Sequence, residues 1–228
     1  MTTIKKLSTN MAFSQTATAP DSTSVRDGRH HGIPVMLQRA IAGLGMLFIS
    51  PLLLLVMLLI KLESQGPCVY KQVRVGKLGR RFTMYKFRSM YMADDPKFKA
   101  PDPSQSNRDG VCAKFHNDPR ITRVGRFIRK YSIDELPQLF NVVCGDMLLI
   151  GPRPALEKEV SAYQVRELTR LNCEQGLTGL WQVTGRADTT FEQQVMLDKQ
   201  YIDNQSMVQD IKIICKTVPC VLGARGAY

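Results

Sequence analysis

The sequence predicts an α+β protein: a small mixed domain with amphipathic helices, seated on a re-entrant, helix–break–helix membrane segment. Three observations predict it. Residues Ala40 to Ile60 form one uninterrupted apolar run with Ser50-Pro51 at its centre. Basic residues flank that run on both sides. Beyond it, short strand-like stretches alternate with segments of helical periodicity.

The run is long enough to cross a bilayer core, for which roughly 20 apolar residues suffice. Pro51 removes one backbone donor and clashes with the preceding turn, so a straight helix is not expected there. Lys5, Lys6, Arg26, Arg29 and Arg39 precede the run, and Lys61, Lys71, Arg74, Lys77, Arg80 and Arg81 follow it. A Lys/Arg excess marks cytoplasmic flanks. With the excess on both sides, the segment reads as a wedge that dips in and returns, both termini staying cytoplasmic. A tilted single-pass helix kinked at Pro51 is the competing reading. Three parts follow: a disordered Ser/Thr-rich tail over 1–33, the membrane segment over 34–63, and a globular domain over 64–228.

Within that domain, Val69 to Val75 and Arg81 to Ser89 read as strands joined across Gly76-Lys77-Leu78-Gly79. Asp94 to Asn117 is polar and proline-bearing, a long loop of the functional or disordered kind. Val124, Phe127, Ile128 and Tyr131 recur at helical spacing, with Arg123, Arg126, Arg129 and Lys130 between them. A helix from Glu135 to about Val143 ends at Gly145-Asp146, and Leu148 to Gly151 is a short strand. Helices are expected over 155–171, 190–203 and 206–218, with a glycine-rich loop and a short strand between the first two.

Lys and Arg total 31 against 20 Asp and Glu, a net charge of +11, which suits a polyanionic neighbour. Beside an apolar segment, lipid headgroups or nucleotide phosphates fit better than nucleic acid, for which no docking motif is visible. The six cysteines, Cys68, Cys112, Cys144, Cys173, Cys215 and Cys220, make no CxxC pair and read as idle thiols in a reducing compartment.

Two groups of residues carry chemistry. Asp134 and Glu135 stand together where a helix begins, with either Ser132 or Asp134 as its cap. An ionised carboxylate among arginines acts as a nucleophile, or holds a hard divalent cation with its neighbour; it is also an ordinary capping residue. Lys86 and Arg88 alternate on one strand face, Arg153 is stiffened between two prolines, and Arg186 follows Gly185 in a turn. Fixed guanidinium groups suit phosphate oxygens. Asp198 and Asp210 lie on C-terminal helices, where surface carboxylates are common.

Together the blocks GPCVYKQVRVGKLGRRFTMYKFRSM (66–90), NDPRITRVGRFIRKYSIDELPQLFNVVCGDM (117–147), IGPRP (150–154) and GLTGLWQVTGR (176–186), with Ser50-Pro51 and Asp198-x-x-Tyr201, resemble the bacterial sugar transferase family, the monotopic polyprenyl-phosphate phosphoglycosyl transferases. The resemblance runs from about Gln38 to Tyr228 and makes 64–228 the catalytic domain. The short length and the ending KTVPCVLGARGAY look most like exopolysaccharide-initiating members that transfer galactose or glucose 1-phosphate.

The resemblance implies transfer of a sugar 1-phosphate from a UDP-sugar donor to undecaprenyl phosphate at the cytoplasmic face of the bacterial inner membrane, with UMP released. It implies Asp134 as the nucleophile forming a covalent phosphosugar intermediate and Glu135 as the ligand of Mg²⁺. Lys86, Arg88, Arg129, Arg153, Arg186, Asp198 and Asp210 become substrate- or phosphate-binding residues, Ser50 and Pro51 the membrane break. Downstream glycosyltransferases would take the product; a homodimer is left open. Four positions depart from the family pattern: Gln38 and Ala42 before the wedge, Leu148 after GDM, and Gln175 before the GLTGLW block. The rival reading is a non-enzymatic membrane-anchored scaffold that binds anionic lipid or polysaccharide-assembly partners through its basic face.

Overall fold

The computed structural model of the chain describes residues 30–102, 118–185 and 189–223. The expected tail up to residue 29, most of the polar loop (103–117) and Arg186 lie outside the described residues.

The apolar run is one helix, α1 (Val35–Glu63), long and apolar enough to cross a membrane. The expected break at Ser50-Pro51 does not interrupt it. Pro51 offers no N–H to the Leu47 carbonyl, and the Ser50 hydroxyl donates to that carbonyl instead at 2.7 Å. The middle of α1 faces outward, with Leu47 72% and Phe48 87% exposed. Its two ends are docked on the domain. Ala42 packs with Phe82, Met84, Val142 and Met147, while Val56 and Ile60 pack with Phe87 and Ile128. Residues 30–33 are also docked, against the expectation of a loose tail. Ile33 is buried, and the ring nitrogens of His30 lie 2.8 Å from the Ile33 carbonyl oxygen and 2.9 Å from Gln205 Nε2.

Strands β1 (Val69–Val75) and β2 (Arg81–Phe87) form the expected antiparallel hairpin, with Val69 opposite Phe87 and Val75 opposite Arg81. Helix α2 (Arg123–Lys130) follows. The chain then turns through Ser132, in left-handed conformation at φ 55°, into a 3₁₀ turn over Ile133–Glu135 and helix α3 (Gln138–Cys144). Ser132 stands at the N-cap position of the 3₁₀ turn that carries the carboxylate pair, though its side chain makes no capping bond, and Pro137 stands just ahead of α3, where a missing N–H costs nothing.

Strand β3 (Leu148–Ile150) pairs in parallel with β4 (Gly176–Thr178). The single helix expected over 155–171 is instead α4 (Glu157–Val160), α5 (Val165–Leu168) and a 3₁₀ turn. Two glutamates break it. The Glu159 carboxylate accepts from the Leu156 N–H at 2.7 Å, and Glu167 accepts from the Gln164 N–H, so each restarts a helix with its own cap. Helices α6 (Leu180–Thr184), α7 (Phe191–Asp203) and α8 (Met207–Leu222) complete the chain. Thr190 starts α7 with a capping box; α8 outruns its expected end because Cys220 still packs against the core cluster that contains Val183, Tyr201 and Ile213.

Candidate active site

The segment after β3 carries Arg153 and is fixed from two sides. The Gly151 N–H donates to Thr178 O at 2.9 Å, and the Gly176 N–H donates to Pro152 O at 2.8 Å. A Cβ on Gly176 would lie 2.0 Å from the Gly151 nitrogen, so glycine is required at this crossing. From the hairpin, the Val75 N–H reaches Ala155 O at 2.9 Å, and the buried Arg74 donates to Pro154 O at 3.0 Å.

Arg153, so held, meets the 3₁₀ turn. Glu135 Oε1 accepts from Arg153 Nη2 at 2.9 Å and from Lys86 Nζ, on β2, at 2.8 Å. Burial pushes Glu135 up, but the charges and hydrogen bonds of Arg153 and Lys86 outweigh it and hold the carboxyl well below its ordinary range. Asp134 goes the other way. Its burial and the Glu135 charge raise it, against the pull of Lys86, Arg129 and Arg153. Burial also lowers Lys86, although Glu135 opposes this. Two neighbouring carboxylates thus differ in basicity: one neutralised by paired cations, the other the more basic.

All these groups, Lys86, Arg129, Asp134, Glu135 and Arg153, line one cavity of about 890 Å³. Part of the remaining lining is apolar, including Ile41 of α1 and Ile214, Val218 and Val221 of α8. A charged cluster inside a partly apolar cleft is the arrangement that lets fixed cations act strongly on a phosphoryl group.

Arg88 borders the cavity, but its guanidinium donates to the carbonyls of Ser64 (2.9 Å) and Gln65, tying β2 to the end of α1. Asp198 and Asp210, expected at the site, are not among the residues lining it. Asp198 is fully buried and accepts from Arg170 Nε at 2.8 Å. Asp210, also fully buried, accepts from the Ile33 N–H at 2.8 Å and the Tyr201 hydroxyl at 2.9 Å, and so anchors the chain just ahead of α1.

The model of the bacterial sugar transferase family matches residues 30–224. The chain belongs to that family. This sugar transferase is 40% identical over 190 residues to the exopolysaccharide production protein ExoY of Rhizobium meliloti, covering 82% of the chain and 84% of that relative. It is 47% identical to the undecaprenyl-phosphate galactose phosphotransferase of Salmonella typhimurium over 72% of the chain but 35% of that longer protein. It is 42% identical to the UDP-glucose:undecaprenyl-phosphate glucose-1-phosphate transferase of Caulobacter vibrioides, over 78% of the chain and 66% of the relative. Family membership favours an enzyme over the scaffold reading.

In the transferase, the four departures from the family pattern are absorbed by packing. Gln38 is fully buried, its Oε1 accepting from the Leu149 and Ile150 N–H groups at 2.9 and 3.3 Å. Ala42 and Leu148 are core residues, and the Gln175 amide donates to Arg170 O and Cys173 O.

Sequence reasoning missed Arg120, Tyr131 and Trp181, which also line the cavity. Arg120 carried a signal, Asp118 two residues before it: the two pair at 2.6 Å, and against burial Arg120 holds Asp118 below its ordinary range. For magnesium, no cluster of three His, Cys, Asp or Glu ligands exists among the described residues. That ion draws most of its ligands from water and phosphate and needs only one or two carboxylates. Glu135, on the 3₁₀ turn and bordering the cavity, fits that demand as the one carboxylate.

Proposed function

We propose that this sugar transferase moves a sugar 1-phosphate, galactose or glucose 1-phosphate, from a UDP-sugar to undecaprenyl phosphate, and so starts an exopolysaccharide repeat unit. The single observation that carries the reading is the Asp134–Glu135 pair, asymmetric in basicity and braced by Lys86 and Arg153 within one cavity. The names of the galactose and glucose transferase relatives support the choice of donor and acceptor, and that of ExoY the exopolysaccharide product.

In the first step an Asp134 carboxylate oxygen bonds to the sugar-linked phosphorus. The bridging P–O bond to the nucleotide breaks, and its electron pair leaves on UMP. In the second step an oxygen of undecaprenyl phosphate attacks the same phosphorus, and Asp134 leaves as a carboxylate. Two in-line displacements divide the work, so a soluble donor and a lipid acceptor use one site in turn. Arg153 and Lys86, fixed beside Glu135, present cationic charge to the phosphoryl oxygens as the bond order changes. Held at Glu135, Mg²⁺ would supply further charge neutralisation to the diphosphate.

The membrane arrangement belongs to the same reading. Both ends of α1 dock on one domain while its apolar middle is exposed, which supports a helix seated in the bilayer from the cytoplasmic side, as the wedge reading requires. A reaction centre at headgroup level spares the acceptor extraction from lipid, at about 0.8 kcal/mol per CH₂ exposed. Tags at both termini are expected to be cytoplasmic; a periplasmic N-terminal tag would replace the wedge with a spanning helix.

The test is turnover. Membranes or nanodiscs carrying the transferase should release UMP from UDP-galactose or UDP-glucose only with undecaprenyl phosphate present beyond the first turnover. No release from any UDP-hexose would refute the reading.

A further inference from the structure

The end of α1 reaches into the first turn of α2. A helix start leaves several amide N–H groups without intrahelical partners. In α2 the first two are taken by one side chain of another element: the Arg123 N–H donates to Glu63 Oε1 at 2.6 Å and the Val124 N–H to Glu63 Oε2 at 2.9 Å. The third, of Gly125, goes to the α2 cap residue Thr122 at 2.8 Å. α2 has no acidic residue of its own in that turn, so the Glu63 carboxylate is also what complements its dipole there.

What α2 carries gives this contact its meaning. Arg129 is in its last turn, and the chain passes through Tyr131 and the left-handed Ser132 directly into Asp134 and Glu135. Backbone bonds make this a stiff unit: Ser132 N–H to Arg129 O at 3.1 Å, Glu135 N–H to Ser132 O at 3.1 Å. The body of α2 is also closely seated, since a Cβ on Gly125 would lie 2.0 Å from Ser89 O. At the other end of α1, Gln38 makes a matching two-bond clamp on β3, the strand that leads to Arg153. The membrane helix therefore grips the segments that supply both halves of the charged cluster.

We infer that Glu63 is a positioning residue, tethering α2 to the membrane helix so that the seating of α1 sets the place of Arg129 and of the Asp134–Glu135 turn. The inference deepens the transfer reaction proposed above and rests on it only for the kinetic readout.

The experiment compares the full-length wild type, Glu63→Gln, Glu63→Ala and the double variant Glu63→Ala/Arg123→Asp in nanodiscs. Arg123→Asp returns a carboxylate to the first turn of α2 without returning the tether. Thermal stability, UMP release and hydrogen exchange over residues 131–136 are measured on each. Glu63→Ala should lower kcat at least tenfold, change KM for the UDP-sugar less than threefold, and speed exchange over 131–136. Glu63→Gln, which keeps one acceptor oxygen, should fall between. The double variant should recover thermal stability but neither kcat nor slow exchange. Wild-type kcat and exchange in Glu63→Ala, or full recovery of both in the double variant, would overturn the tether and leave an ordinary helix cap. If the wild type released no UMP but exchange responded as described, the transfer reaction would fail while the tether stood.

Discussion

The carboxylate–arginine pairings at Glu135 and at Asp198 differ in what surrounds them. At Glu135, two cations meet one carboxylate oxygen, a second carboxylate stands next in sequence, and all border an 890 Å³ cavity. At Asp198 a single arginine serves one fully buried carboxylate. Arg170 there lies 5.8 Å from the ring centres of both Tyr163 and Phe191, and Asp198 Oδ1 has no hydrogen-bond partner among the described residues. The first cluster sets paired cations beside a cavity with room for a phosphate to reach them. The second is sealed by rings and holds α7 to the turn after α5. Residue types alone do not separate the two; access to the cavity and the paired cations do.

The comparison breaks most sharply at Asp134. Asp134→Asn should cost at least about a thousandfold in kcat, since the amide forms no phosphosugar bond, with little change in the thermal transition. UMP release measures it; a loss below tenfold would return the pair to a capping role. Arg170→Ala should show the opposite profile. Stranding the Asp198 carboxylate is expected to cost about 3–5 kcal/mol of stability in denaturant unfolding, while the folded fraction keeps its KM. Arg153→Ala should lower kcat by about a hundredfold or more, as when one donor is removed from a preorganised anion site. Arg153→Lys should recover only part, because a point charge does not replace the planar fork.

The smallest expected effect lies in pH. Burial, opposed by Arg170, lifts Asp198 from an ordinary 3.8 up to about 6. The folded chain then holds this proton more tightly than the unfolded one. Between those two values stability should therefore fall as pH rises, by at most about 3 kcal/mol from this group. Asp198→Asn should flatten that part of the stability–pH curve; an unchanged slope would place Asp198 in a more polar setting. Asp134 makes a kinetic counterpart, since the proposed nucleophile, its pKa raised, must lose its proton to react. The acid limb of kcat/KM should sit above the ordinary carboxylate range, with activity lost as pH falls through it.

Much of this was legible in the chain. The hairpin, α2 and α7 follow from periodicity and capping residues, and the carboxylate pair stands out from its basic surroundings. What was hidden depends on long-range contact. Lys86 and Arg153 are 67 positions apart and meet only because β1 pins the segment beyond β3. Arg88 alternates correctly with Lys86, yet the end of α1 claims its donors. Asp198 and Asp210 share the residue type of the site, but Arg170 and the Ile33 N–H engage them elsewhere. The 155–171 segment has helical composition, and only the back-turned Glu159 and Glu167 divide it. A proline marks where a helix loses a bond, but not that Ser50 would fill the vacancy.

One measurement addresses the nucleophile directly. The transferase in nanodiscs is mixed with UDP-galactose or UDP-glucose without acceptor, quenched in acid within one turnover, digested and analysed by mass spectrometry. The account predicts a hexose-phosphate mass on the peptide carrying Asp134, absent from Asp134→Asn and discharged when undecaprenyl phosphate is added before the quench. Turnover with no adduct on that peptide at any quench time, or an adduct on a different side chain, would contradict it.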